Sequence, residues 1–286
     1  MEEKKLANIF EEYLTQKSIF ANKTALQTEF EPEPIQHRDQ QIEYVANVLA
    51  PILKSEKPNN LFINGNTGTG KTLVVRRVTN QIRQIAAKME MPVSIIYINC
   101  NLKRTADTEY RFIAQALKEI GKTIPHTGLP TDQVYNIFYT EVDQMKCQML
   151  IVLDEIDVLV EKTDDQLLYN LLRINEHLKN SRITIIGISN VLSFIDNLDP
   201  RVKSSLSMEK LTFPRYDAVQ LLDILRQRTT LAFNPETIED GVLEKCAALL
   251  GQEQGDARKA ISLLKTAGEL CERAKETRVS LKHLDQ

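Results

Sequence analysis

The chain has 286 residues, 42% hydrophobic and 26% charged, with a formal net charge of −3. That profile fits an ordinary globular protein able to bury a full core in one large domain or two modest ones. It excludes a generally basic nucleic-acid binder, so any DNA contact has to come from a local patch or from backbone amides. The four cysteines and four histidines are scattered and form no CxxC pair, which predicts reduced thiols and no metal cluster. The start, MEEKKLANIF, lacks a signal-type apolar core. No uncharged apolar run nears the ~18 residues of a membrane span, so a cytoplasmic protein with no membrane partner is expected.

In chain order, residues 1–16 read as a short amphipathic helix, followed by irregular chain through Pro-Glu-Pro at 32–34. Ile42, Val45, Val48, Leu49, Ile52 and Leu53 recur at helical spacing. Next, short apolar runs at 60–64, 93–98, 149–153, 183–187 and 209–213 alternate with helical patterns near 71–90, 108–120, 132–145 and 166–179. Continuous apolar strands separated by helices predict an α/β fold, a five-stranded parallel sheet covered on both faces. Beyond Pro214 the pattern becomes purely helical, near 217–232, 239–250 and 257–275. A boundary is expected at 214–217, where proline breaks the strand and Asp217 can cap a helix. The expected domains are therefore 1–215, including an N-terminal extension over 1–34, and a small all-α domain over 216–286.

Two motifs carry chemistry. Gly65-Asn66-Thr67-Gly68-Thr69-Gly70-Lys71-Thr72, followed by Leu73, matches GxxxxGK[ST] and lies between a strand and a helix. Glycine-freed amides and a helix N-terminus cradle phosphate oxygens there. Lys71 is expected to reach the β- and γ-phosphates, and the Thr72 hydroxyl to ligate Mg²⁺. The second motif, LIVLDEID over 150–157, crowds three carboxylates at the end of an apolar strand. Such a cluster favours a cation. Asp154 suits Mg²⁺ and Glu155 the attacking water, while Asp157 is expected to cap or support the following loop.

Weaker signals follow in order. Asn190 ends the strand pattern at 183–190 and is placed to hold water or the γ-phosphate. Arg201, in LDPRVKSSL, sits on a short exposed helix and is a candidate arginine finger toward a neighbouring subunit. Arg258 stands in the first turn of a helix capped by Asp256, where a cation opposes the helix dipole. That position suggests a role toward a γ-phosphate.

Together these motifs resemble the AAA+ ATPases, a P-loop three-layer α/β sandwich followed by a helical lid. Pro34-Ile35-x-His37-Arg38, LDEIDVL, LDPRVKSSL, FPRYDAVQLLDILRQR and GDARKAISLL resemble, more narrowly, the archaeal replication initiators of the Orc/Cdc type over roughly 18–286. The resemblance implies a protein that binds ATP and hydrolyses it slowly to ADP, with Mg²⁺. It would bind double-stranded origin DNA at the nucleoid, associate with other initiator subunits and help recruit or load the replicative helicase. It makes Asn190 sensor 1, Arg258 sensor 2 and Arg201 the finger, and puts Ile35, His37 and Arg38 around adenine and ribose. The family's DNA-touching insertion matches the segment near 122–135, with Lys122, His126, Thr127 and the Gly128 amide as contacts. Such initiators continue into a winged-helix domain, whereas this sequence stops at Gln286. A truncated member or one working through partners is expected. The alternative reading is an AAA+ loader or adaptor that grips a protein partner without reading DNA; Lys203-Ser204-Ser205 stands where clamp loaders place Ser-Arg-Cys.

Overall fold

A computed structural model describes residues 10–11, 17–101, 107–125, 128–205, 208–253 and 255–285. The chain divides into two compact units, Arg38–Pro214 and the combination of Met1–His37 with Arg215–Gln286.

In the first unit five strands, β1 (Asn60–Gly65), β2 (Val93–Asn99), β3 (Gln148–Asp154), β4 (Arg182–Ser189) and β5 (Met208–Phe213), form one sheet in the order β2-β3-β4-β1-β5. Every neighbouring pair is parallel. The expected five-stranded parallel sheet is thus present. β3 and β4 are buried along almost their whole length, whereas edge strand β2 is only partly covered. Burial on both faces explains why β3 and β4 read as unbroken apolar runs.

Helices α1 (Asp39–Leu49), α2 (Lys71–Lys88), α3 (Glu109–Glu119), α4 (Thr131–Gln144), α5 (Ile156–Leu172) and α6 (Pro200–Ser205) complete this unit. Ile96, Ile98, Met149, Ile151, Leu153, Ile183 and Ile185 share a core with Phe112 and Ile113 of α3, Phe138 of α4 and Leu159 and Leu168 of α5. The alternate residues Leu61, Ile63, Leu150, Val152, Ile186 and Ile188 are buried too. By strand alternation they face the other side of the sheet. The stripe Val74, Val75, Val78 and Ile82 is the buried face of α2. All parallel strands point the same way, so their C-terminal ends bring Gly65, Asp154 and Ser189 to one edge.

One helix departs from expectation. The pattern predicts a helix from 166 to 179, but α5 starts at Ile156, directly after the carboxylate motif, and breaks at Asp164 (φ 56°, ψ −176°). Ile156 and Leu159 on one side of the break, and Leu167, Leu168 and Leu171 on the other, are all buried. The polar Glu-Lys-Thr-Asp-Asp run at 161–165 masks that continuity in the sequence.

The second unit contains α7 (Ala218–Ala232), α8 (Val242–Glu253) and α9 (Ala257–Arg273). Asp217 closes a capping box with Gln220 at the head of α7. Asp256 accepts the Arg258 and Lys259 amides at the head of α9. The sequence reading attaches residues 1–34 to the α/β domain; their described portion groups instead with these helices. Phe20 pairs with Phe233 in an antiparallel bridge, and their rings lie 4.7 Å apart. Glu272 accepts the Ser18 hydroxyl at 2.6 Å and the Ile19 amide at 3.1 Å. The buried Arg228 donates to the carbonyls of Ala25 and Phe30. Ile19, Phe20, Ala25 and Leu26 are therefore part of the helical core. Among the described residues no helix is long and apolar enough to cross a membrane.

Candidate nucleotide-binding site

The turn from β1 to α2 begins at Gly65, where φ is +152° and a Cβ would lie 2.7 Å from the Phe213 carbonyl oxygen. Only glycine meets both conditions without displacing the end of β5. The Thr69 hydroxyl donates to the Asn66 carbonyl at 2.8 Å, closing the loop on itself. Gly70 (φ 87°) then stands at the N-cap of α2. A left-handed residue at the head of an 18-residue helix supplies the nest and dipole that bind phosphate.

Lys71 is 5% exposed. Its ammonium donates to the Gly65 carbonyl at 2.7 Å, the Asn66 carbonyl at 2.8 Å and Asn190 Oδ1 at 2.8 Å. A buried cation needs such a full set of acceptors. The contact also brings Asn190 and the phosphate loop together, although 119 residues separate Asn190 from Lys71. The Thr72 hydroxyl donates to Asp154 Oδ2 at 3.0 Å. These are hard oxygen donors of the kind Mg²⁺ takes. Among the described residues no group of three or more His, Cys, Asp or Glu forms a protein cage for a metal. The donor set fits a Mg²⁺–nucleotide complex.

Glu155 occupies the left-handed region (φ 58°, ψ 49°) between β3 and α5. Such strain costs on the order of 1 kcal/mol and concentrates at functional positions. It turns the chain sharply enough that Asp154 bonds Thr72 while Glu155 Oε2 accepts from Asn101 Nδ2 at 2.7 Å. Asp157 lies in the first turn of α5, and its Oδ1 accepts the Asn190 amide at 3.3 Å.

Two contributors escaped the sequence reading. The Tyr97 hydroxyl donates to Asp154 Oδ2, and Asn101 holds Glu155. Burial, followed by the Asp154 charge, pushes the Tyr97 phenol well above its ordinary value, so it remains a donor. The same two causes hold the Cys100 thiol protonated. Both Tyr97 and Asn101 come from β2 and its exit, which pairs in parallel with β3 so that Asn99 stands beside Asp154. That register is a tertiary fact; the only local trace is the polar Asn-Cys-Asn end of an apolar run.

The remaining candidates each have their own local setting. Arg38 is 1% exposed, and its guanidinium donates to the Thr69 and Pro214 carbonyls, each at 2.8 Å. Ile35 is buried, and His37 Nε2 lies 3.0 Å from Asp223 Oδ2 of α7. Arg201 is 78% exposed and pairs with Asp199 at 3.1 Å. Its hydrogen bond to Asp199, and then the charge of that carboxylate, raise its pKa. Arg258 is exposed on the first turn of α9. In the segment near 122–135, Lys122 pairs with Glu141 at 2.9 Å. Gly128 (φ 107°) has open space where a Cβ would point. His126 and Thr127 lie outside the described residues, and from Thr131 onward the segment is α4, as the helical pattern near 132–145 predicts, with Tyr135 buried.

Comparison with known proteins supports the same assignment. Residues 54–194 match an AAA domain, and residues 222–286 match a Cdc6 AAA+ ATPase-type lid domain. The chain is 46% identical to the ORC1-type DNA replication protein of Thermococcus onnurineus over 288 residues, covering 99% of this chain and 69% of the relative. It is 47% identical to that of Pyrococcus horikoshii over 283 residues, covering 98% and 67%. Among solved structures, the Aeropyrum pernix ORC1 protein in complex with DNA superposes with a TM-score of 0.85 at 40% identity, covering 94% of this chain and 69% of that one. The phosphate loop, the strand-end carboxylates and the helical unit are those of an AAA+ ATPase with its lid, and the chain belongs to the ORC1-type DNA replication protein family.

Proposed function

We propose that this chain is an ATP-controlled replication initiator that binds origin duplex, uses slow hydrolysis as a switch and helps recruit or load the replicative helicase. The observation that carries the reading is the joining of Lys71, Thr72, Asp154 and Asn190 at one sheet edge, with Glu155 directly after Asp154 at the end of β3, in a chain with ORC1-type relatives. Lys71 and the loop amides bind the β- and γ-phosphates, and Thr72 and Asp154 would hold Mg²⁺. When bound, Mg²⁺ neutralises charge that develops on the phosphate oxygens. Water attacks the γ-phosphorus, its proton passes to Glu155, the bond to the β-γ bridging oxygen breaks, and ADP and phosphate leave. Asn190 orients the water or the γ-phosphate. Asn101 tethers Glu155, a restraint consistent with slow turnover. Arg258 senses the γ-phosphate as part of the lid, and Arg201 serves a neighbouring initiator subunit.

DNA enters this reading through the Aeropyrum relative, solved in complex with DNA. Lys122 and the Gly128 amide are the proposed contacts here, and the replicative helicase is the proposed downstream partner. Fluorescence anisotropy with origin-type and random duplexes tests it, using ADP and a non-hydrolysable ATP analogue at two salt concentrations. Nucleotide-dependent binding that favours origin DNA and weakens with salt is expected. No binding under any condition would move the function to a protein partner, as in a loader or adaptor.

A further inference from the structure

Arg38 is the first residue of the α/β unit and Pro214 the last. They are 176 positions apart in sequence, yet Arg38 Nη2 donates to the Pro214 carbonyl at 2.8 Å. The other arm of the same guanidinium, Nε, donates to the Thr69 carbonyl inside the phosphate loop at 2.8 Å. Its carbon lies 5.6 Å from the Phe213 ring centroid, over the last residue of β5. The Arg38 backbone is equally committed, because its carbonyl accepts the Ile42 amide at 2.9 Å as α1 begins. The loop meets the same corner independently: Gly65 is registered against Phe213, with no room for a Cβ.

A planar guanidinium with donors on several edges can hold two carbonyls at once, which a lysine ammonium does less rigidly. From this convergence we infer that Arg38 is a positioning residue for phosphate binding. It fixes the Thr69 carbonyl outward, so that the amides of the loop stay turned inward, and it fastens that loop to both points where the chain leaves the unit. The inference deepens the proposed nucleotide reading and rests on it. It differs from a contact with the adenine or ribose, because the path from Arg38 to the ligand runs through the loop backbone.

The discriminating experiment displaces a fluorescent ATP analogue from wild-type, Arg38→Met and Arg38→Lys chains with three probes: ATP, inorganic tripolyphosphate and adenosine. Arg38→Met removes two charge-assisted hydrogen bonds that preorganise the loop, and a weakening of roughly tenfold is expected. ATP and tripolyphosphate should weaken by the same factor while adenosine is unchanged. Arg38→Lys should restore part of the loss and keep that ratio, and it carries the test if the methionine variant fails to fold. Weaker adenosine binding with unchanged tripolyphosphate displacement would overturn the inference and make Arg38 a base or ribose contact. A wild-type chain that bound neither ATP nor tripolyphosphate would instead remove the nucleotide reading itself, and this inference with it.

Discussion

The phosphate-loop edge and the segment between α3 and α4 are both candidate contact surfaces for anions, and they are built in opposite ways. At the loop edge the charged groups are buried and mutually held, with Lys71 5% and Asp154 6% exposed. Their hydrogen bonds reach across residues from positions 65 to 190. Between the helices, Lys122 is 54% exposed and pairs with Glu141 on the surface, and Gly128 has open space beside it. Chemistry on a phosphate needs donors fixed in advance, whereas backbone contact with a duplex tolerates mobile charge. The first surface therefore leaves a strict pattern in the sequence and the second leaves almost none.

The largest effect expected from this contrast is at Lys71. Lys71→Ala removes a buried ammonium with three oxygen partners, and nucleotide affinity should fall by about a hundredfold or more. Isothermal titration with ATP checks this; an affinity within threefold of wild type would place the phosphates elsewhere. Arg258→Ala should cost less, on the order of tenfold for ATP, the scale of one charge-assisted hydrogen bond, and leave ADP nearly unchanged. Equal losses for both nucleotides would remove its sensing role.

Lys122→Ala bears on the looser surface. Its duplex affinity should drop similarly on origin and random DNA, and the slope of log affinity against log salt should fall by about one. A loss confined to origin DNA would mean direct base reading. The smallest effect concerns neither surface. Desolvation raises the Asp143 pKa, but hydrogen bonds from the backbone of Asn180, Ser181 and Lys179 outweigh it and hold the carboxyl below its ordinary value. A depressed pKa stabilises the fold above the unfolded value, near 4, and that contribution fades as pH falls through the folded pKa. Melting curves of Asp143→Asn should differ from wild type at pH 7 and converge with it toward pH 3. A gap that widened on acidification would contradict the assignment.

What the sequence disclosed follows the same physical division. The phosphate loop and the Asp154-Glu155 pair were legible because backbone geometry and phosphate chemistry force residue types at fixed spacing. The five strands were legible because strands buried on both faces become continuous apolar runs. Tyr97 and Asn101 were hidden because their role depends on the pairing of β2 with β3, which no single strand reveals. The first half of α5 was hidden by polar residues around the break at Asp164. The membership of residues 18–37 in the helical unit was hidden because its anchors, Glu272, Arg228 and Phe233, lie about 200 or more positions away in sequence. Arg38 was singled out by motif, yet its engagement with the Thr69 and Pro214 carbonyls could be seen only in three dimensions.

The most direct test of the account is single-turnover ATP hydrolysis by Glu155→Gln, with ATP binding measured on the same preparation. The substitution keeps the size of the side chain and removes its ability to take a proton. Binding should stay within a few-fold of wild type while the hydrolytic step slows by about a hundredfold or more, the usual contribution of a general base. Hydrolysis at the wild-type rate would show that the proton leaves by another route, and that this strand end is not where the reaction is carried out.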